Sequence, residues 1–144
     1  MGKLNVGILG AGGMGHVHGG NLAKIDDVQV VSVCDADFDK ARKLAGPLGA
    51  DAYASFDGML RGEKLDILYI LLPPYAHSGQ FEQAAERGIN IFIEKPIAID
   101  GGRGRSMADA AEKAGIRTHV GFHMRYGTAV RKLRGMIDSG QAGR

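Results

Sequence analysis

The stretch that decides the fold is Gly10-Ala11-Gly12-Gly13-Met14-Gly15. It follows an apolar run, Leu4 to Leu9, that predicts a buried strand, and it opens a helical stretch. In a strand, turn and helix of this kind, Gly10 permits the tight turn, Gly12 lets a pyrophosphate approach the backbone, and Gly15 lets helix and strand pack closely. We therefore predict that all six residues of the stretch bind a dinucleotide at the N-terminus of the helix.

A carboxylate stands at the position that this motif requires. The β-branched run Val28 to Cys34 predicts a second strand, and Asp35 follows it, 20 residues after Gly15. A carboxylate there accepts hydrogen bonds from a ribose 2′-hydroxyl and repels a 2′-phosphate. Because no Arg or Lys follows directly, the sequence favours NAD, with NADP as the alternative. His16-Val17 after the turn excludes a P-loop.

Apolar runs alternate with amphipathic stretches along the whole chain, which predicts one α/β domain spanning residues 1–144. We expect a doubly wound, mostly parallel, six-stranded Rossmann sheet with helices on both faces. The predicted strands are Leu4–Leu9, Val28–Cys34, Ala50–Tyr53, Asp66–Leu72, Ile89–Ile93 and Arg117–Gly121. The residues predicted to pack the first two helices are Met14, Val17, Asn21, Leu22 and Ile25, and Phe38, Ala41, Leu44 and Ala45.

Several residues mark the ends of these helices. Asp37 and Ser55 are placed to cap helices, and Gly46-Pro47 should end or kink the second one. The last three helices are expected to close at Gly88, Gly115 and Gly140.

Composition excludes several classes of protein. A formal charge of +2 gives no strong attraction to nucleic acid or to a membrane surface. The longest apolar run, Ile67 to Leu72, is too short to span a bilayer, and no signal peptide opens the chain, so we expect a cytoplasmic protein. The single cysteine, Cys34, is expected to be buried and inert. It and the histidines show no metal-ligand spacing, so no metal is predicted.

Two further segments fall at carboxyl ends of predicted strands, where open α/β sheets bind ligands. The fourth strand ends in Leu72-Pro73-Pro74 with His77 shortly after, and the fifth ends in Glu94-Lys95-Pro96. Lys95 there can hydrogen-bond a substrate hydroxyl and help its proton leave, tuned by burial and positive neighbours. Pro96 could follow a cis bond. His77 either lines the cleft or caps the next helix.

At these residues the chain resembles the N-terminal domain of the Gfo/Idh/MocA oxidoreductases. The matching residues are the glycine turn, Asp35, Pro73-Pro74 with His77, Glu94-Lys95-Pro96, and the stretch from Val120 to Tyr126. The resemblance implies hydride transfer between NAD or NADP and a sugar, cyclitol or related polyol, with Lys95 in the catalytic set. It also implies a cofactor cleft lined by Leu72, Pro73, Pro74, His77, Glu94 and Lys95, with Arg125 nearby. Pro74 departs from the family, which often has Asn there.

The resemblance also implies a second domain that this chain lacks. In the family, that C-terminal α/β unit binds the substrate, supplies acid/base partners of the lysine and forms the homo-oligomer interface. We therefore expect a fragment that is inactive alone, rather than a stand-alone protein. Two alternatives stay open at this point: a non-catalytic dinucleotide-binding module or sensor, and an S-adenosylmethionine-dependent methyltransferase domain.

Overall fold

A computed structural model describes residues 2–143, which fold around one six-stranded sheet. Its strands are β1 (Leu4–Leu9), β2 (Val28–Cys34), β3 (Asp51–Tyr53), β4 (Ile67–Ile70), β5 (Asn90–Ile93) and β6 (Thr118–Val120). Every pairing is parallel, in the order β3-β2-β1-β4-β5-β6. The predicted fold class is therefore confirmed, and the strand order reverses between β1 and β4, which is where such sheets bind ligands.

Helices connect the strands and cover both faces of the sheet. They are α1 (Gly13–Leu22), α2 (Phe38–Leu48), α3 (Phe56–Gly62), α4 (Gln80–Glu86), α5 (Gly101–Ala114) and α6 (Thr128–Asp138). One core cluster joins Val6, Ile8 and Val33 to Leu22 and Leu44 of α1 and α2. The other cluster lies on the opposite face, where Met59 of α3, Phe81 and Ala84 of α4 and Met107 of α5 are buried together with residues of β4 and β5.

Of the five residues predicted to pack α1, only Leu22 is buried. Met14 and Val17 are 39% and 52% exposed, whereas Gly15, Gly19 and Leu22 are buried. The two glycines let the helix backbone approach the sheet and α2, so the larger side chains turn outward. Of the other predicted packing residues, Asn21, Ile25 and Phe38 are also exposed, and Ile25 lies beyond the end of α1.

The helix ends follow the sequence with one exception. Asp37 and Ser55 accept hydrogen bonds from the Lys40 and Gly58 backbone amides, as caps should. The sequence predicts that Gly46-Pro47 ends or kinks α2. The helix continues through Pro47, which lies in its last turn, to Leu48, and Gly49, with φ of +66°, closes it. Gly88, Gly115 and Gly140 all adopt positive φ where the sequence places helix ends.

Part of the sheet carries an aromatic row on the face opposite α4 and α5. Tyr69 of β4 stacks on Phe92 of β5 with ring centroids 4.5 Å apart, and Phe92 stacks on His119 of β6 at 5.7 Å. Helix α6 lies beyond β6, and all its residues are exposed. Within residues 2–143, no helix is both long and apolar enough to cross a membrane.

Candidate dinucleotide site

The three motif glycines occupy three different environments. Gly10 has φ of +106°, and a Cβ there would lie 3.0 Å from the Leu71 carbonyl carbon, so this turn needs glycine on both counts. A Cβ on Gly15 would collide with the carbonyl oxygen of Gly10. A Cβ on Gly12 would meet no described atom within 4 Å. Of the three motif glycines, only Gly12 therefore faces open space, which is the environment expected of the glycine that a pyrophosphate approaches.

The start of α1 presents backbone donors beside that open space. Gly12 is the N-cap residue, and no side chain among residues 2–143 caps the helix there. The first amides of a helix have no intrahelical acceptor, and the helix dipole adds positive potential to them. The residues present thus fit a bound pyrophosphate, with the amides at Gly13 and Met14 as its donors.

Asp35 is tied directly to the glycine turn. Its Oδ2 accepts a hydrogen bond from the Ala11 amide at 2.8 Å, and its Oδ1 accepts one from the Asp37 amide at 2.9 Å. Each carboxylate oxygen can accept more than one hydrogen bond, so both can still bind a ribose hydroxyl. Sequence reasoning missed the link to Ala11, which fixes Asp35 beside the turn.

A cleft of about 340 Å³ joins the glycine turn to the loops after β4 and β5. It is lined by eight of the predicted site residues, which are Gly12, Gly13, Met14, Leu72, Pro73, Pro74, Glu94 and Lys95. Leu71 and His123 also line it, and the sequence analysis did not select either. A second hollow of about 500 Å³ shares Met14, Glu94 and His123 with this cleft.

The remaining predicted residues lie outside the cleft lining. Gly10, Ala11 and Gly15 are buried beneath the turn, and Asp35 stands at the end of β2. Arg125 is exposed in a 3-10 turn, His123–Tyr126, between β6 and α6.

His77 connects the two loops that form one side of the cleft. Its Nδ1 lies 2.9 Å from the Ile97 carbonyl oxygen and its Nε2 lies 3.3 Å from the Leu72 carbonyl oxygen. It therefore lies between the loop after β4 and the segment after Glu94-Lys95-Pro96, and it does not cap α4, which begins after Gly79.

Glu94 is buried at the inner end of the cleft, with 6% of its surface exposed. Its Oε1 lies 2.9 Å from Nε2 of His18, and its Oε2 accepts a hydrogen bond from the Lys95 amide at 2.9 Å. A Cβ on Gly121 would come within 2.8 Å of the carboxyl carbon, so the glycine at the end of β6 makes room for this side chain. Sequence reasoning did not select His18 as a site residue.

Lys95 itself is exposed at the rim of the cleft. The burial expected for it from the sequence is thus absent within residues 2–143. The Lys95–Pro96 peptide bond is cis.

The other candidate reactive groups take no part in this site. Cys34 is buried, and burial, with the neighbouring Asp35 charge, raises the pKa of its thiol to about 11. The thiol is therefore neutral and unreactive near pH 7, as expected. Among the described residues, no three His, Cys, Asp or Glu side chains are grouped to hold a metal ion.

Known proteins share this sequence and fold. Inositol 2-dehydrogenase of Rhizobium meliloti (strain 1021) is 31% identical over 97% of this chain and 42% of its own length. The WlbA dehydrogenase of Bordetella pertussis, crystallised with NADH and UDP-GlcNAcA, superposes with a TM-score of 0.93 at 27% identity, over 99% of this chain and 44% of its own. Lactobacillus casei scyllo-inositol dehydrogenase, solved with NAD(H) and scyllo-inositol, superposes with a TM-score of 0.90 at 25% identity. This match covers 98% of this chain and 42% of the dehydrogenase.

The chain thus spans less than half the length of these relatives. The family model described as an oxidoreductase family with an NAD-binding Rossmann fold matches residues 4–122. This match excludes the methyltransferase alternative. With its glycine turn, its Asp35 and this match over most of its length, the chain belongs to the Gfo/Idh/MocA oxidoreductase family, whose NAD-binding Rossmann fold it forms.

Proposed function

We propose that this chain binds NAD(H) in the cleft between the glycine turn and the Glu94-Lys95-Pro96 loop, as the cofactor half of a dehydrogenase active site. The observation that carries the proposal is the open space at Gly12, beside the amides of α1 and within the cleft that Lys95 also lines. The substrate class we propose is a sugar, a cyclitol or a related polyol. Support comes from relatives that act on inositol or bind a UDP-sugar.

Asp35 is the residue that we propose selects NAD over NADP. Its two oxygens already accept hydrogen bonds from the Ala11 and Asp37 amides, so the carboxylate is held in place at the proposed ribose end. A 2′-phosphate there would face like charge in close contact, which is costly.

Lys95 is the residue that we propose moves the proton. A bound nicotinamide supplies a hydride donor or acceptor at carbon. The Lys95 amine at the cleft rim can exchange a proton with the substrate hydroxyl that is being oxidised or formed. Glu94 and His77 hold the loops on which Lys95 and the two prolines stand, and Arg125 is proposed to approach the nicotinamide or the substrate.

The substrate side of the site is proposed to come from a second unit. Relatives of this chain are more than twice as long, and Lys95 lacks burial within the described residues. A second α/β unit that covers Lys95 would exclude water and add the acid/base partners of the amine. Without that unit the chain should bind the cofactor and turn nothing over.

Two further proposals concern assembly and location. We propose that the complete protein is a homo-oligomer, which light scattering of a chain carrying both units would test. We also propose a cytoplasmic location, which subcellular fractionation would test.

The experiment that tests the function is a titration of this chain with NADH and NADPH, read by nicotinamide fluorescence. We expect saturable binding that favours NADH. Binding to neither nucleotide would refute the cofactor site. A longer chain that carries the second unit should reduce NAD when given inositols or aldoses. If that longer chain binds NADH and oxidises no polyol, the protein is a dinucleotide-binding module without chemistry.

A further inference from the structure

Glu94 is the only buried carboxylate within the described residues, and its two oxygens connect two parts of the proposed site. Oε1 faces His18 in the second turn of α1, and Oε2 receives the Lys95 amide. Helix α1 starts at the proposed pyrophosphate site, and Lys95 stands at the proposed nicotinamide end. The His18–Glu94 pair therefore connects α1, at the proposed pyrophosphate site, to the Lys95 loop, at the proposed nicotinamide end.

We infer that His18 is a positioning residue, which fixes the Glu94 carboxylate and through it the Lys95 backbone at the nicotinamide end of the cleft. This role rests on the proposed NAD(H) site. In this role Nε2 of His18 donates the hydrogen bond and Oε1 of Glu94 accepts it. A buried carboxylate without this donor would be unpaired on that side, and it would turn towards solvent and release the Lys95 amide.

The imidazole is itself held in one orientation. Its ring packs edge-on against Phe92, with centroids 4.9 Å apart, and lies 5.5 Å from Tyr69. Only 18% of the His18 side chain is exposed. Two aromatic rings of the sheet thus hold the plane of the imidazole, and in that plane Nε2 lies 2.9 Å from Oε1 of Glu94. A surface histidine that met Glu94 by chance would lack this support.

Substitutions at His18 can remove the hydrogen-bond donor and the packed ring separately. His18→Phe keeps an aromatic ring against Phe92 and Tyr69 and removes the donor. His18→Gln loses the ring and restores an N–H donor that can reach Glu94. His18→Leu removes the donor with a smaller side chain, in case the phenyl ring disturbs folding. Asn21→Ala, an exposed change one turn further along α1, is the matched control.

The measurement compares the affinity of each variant for NADH and for ADP-ribose, which lacks the nicotinamide. A role at the nicotinamide end predicts that His18→Phe and His18→Leu weaken NADH binding about tenfold, the effect of losing one hydrogen bond to a charged group. ADP-ribose binding should change less than about twofold, because the glycine turn and Asp35 are untouched. His18→Gln should recover most of the NADH affinity, and Asn21→Ala should match the unchanged chain.

Each other outcome overturns the inference in a recognisable way. Equal losses of NADH and ADP-ribose would show that His18 only supports the fold of α1. Full NADH affinity in His18→Phe or His18→Leu would show that the pair positions nothing. In both cases the unchanged chain still binds NADH, so the proposed function survives. If the unchanged chain binds neither ligand, the proposed function fails and the role of His18 fails with it.

Discussion

Gly12 and Gly15 belong to one motif, yet substitution by alanine should affect them in opposite ways. At Gly15 a Cβ would collide with the Gly10 carbonyl oxygen, which is backbone and cannot rotate away. Inserting a methyl group into such a packed contact costs about 1–3 kcal/mol of unfolding free energy. For a domain of this size, that lowers Tm by about 4–12 °C.

At Gly12 the protein itself has room for a methyl group. The added Cβ meets no described atom within 4 Å, and the backbone angles, φ −76° and ψ −162°, are open to any residue. Glycine is preferred over alanine at a helix N-cap by about 0.5–1 kcal/mol, so we expect Tm to fall by only about 2–4 °C, less than for Gly15→Ala. The methyl group would instead fill the space proposed for the pyrophosphate. Loss of about 1.5–3 kcal/mol of charge-assisted hydrogen bonding corresponds to NADH binding about 10- to 100-fold weaker.

Both quantities can be measured on the same samples. Thermal unfolding followed by circular dichroism gives Tm, and titration followed by nicotinamide fluorescence gives the NADH affinity. Gly20→Ala is the control, because Gly20 is an exposed glycine of α1 outside the cleft lining and its Cβ also meets no described atom within 4 Å. A Gly12→Ala variant that keeps its NADH affinity, or that unfolds as early as Gly15→Ala, would refute the assignment of the open space to the cofactor.

Other residues of the site give separate tests. Asp35→Ser should weaken NADH binding and narrow the gap between NADH and NADPH, and an unchanged ratio in the fluorescence titration would remove Asp35 from cofactor selection. Lys95→Ala, in a longer chain that turns over, should lower kcat far more than NADH affinity, and a surviving rate would contradict its proton-transfer role. Burial raises the pKa of the Cys34 thiol from 9.0 to about 11. At pH 8 the thiol of the folded protein should therefore react with a chromogenic disulfide reagent about a hundredfold more slowly than the thiol of the unfolded protein. Equal rates in the two states would contradict the burial of Cys34.

Much of the fold was predictable because parallel strands buried on both faces leave long apolar runs. The bounds of β1 and β2 match the sequence prediction, and the other strands differ by one or two residues at their ends. The packing face of α1 was not predictable from apolar spacing, because glycines bury backbone rather than side chains there. Pro47 predicts the end of α2 only approximately, because the last turn accommodates the proline and the helix ends one residue later, at Leu48.

The site residues that belong to a short sequence motif were predictable, whereas contacts between residues far apart in the sequence were not. The glycine turn and the residues beside Lys95 each form a short continuous signature. The contact between His18 and Glu94 joins residues 76 positions apart, and that from Asp35 to Ala11 joins residues 24 apart. Nothing in a single sequence signals which histidine of α1 faces β5. The spacing of His18 three residues after Gly15 becomes informative only once the helix is known to pack through its glycines.

The two halves of the proposed site differ in how complete they are within this chain. The cofactor side is held by contacts among the described residues: Gly15 against Gly10, Asp35 on the Ala11 amide, and Glu94 between His18 and Lys95. The chemical side is open, since the Lys95 side chain and Arg125 are both exposed. Proton transfer by an amine benefits from a site that excludes water, whereas a pyrophosphate can bind at a helix N-terminus beside solvent. Cofactor binding should therefore persist in this chain alone, while the chemistry requires a surface that covers Lys95.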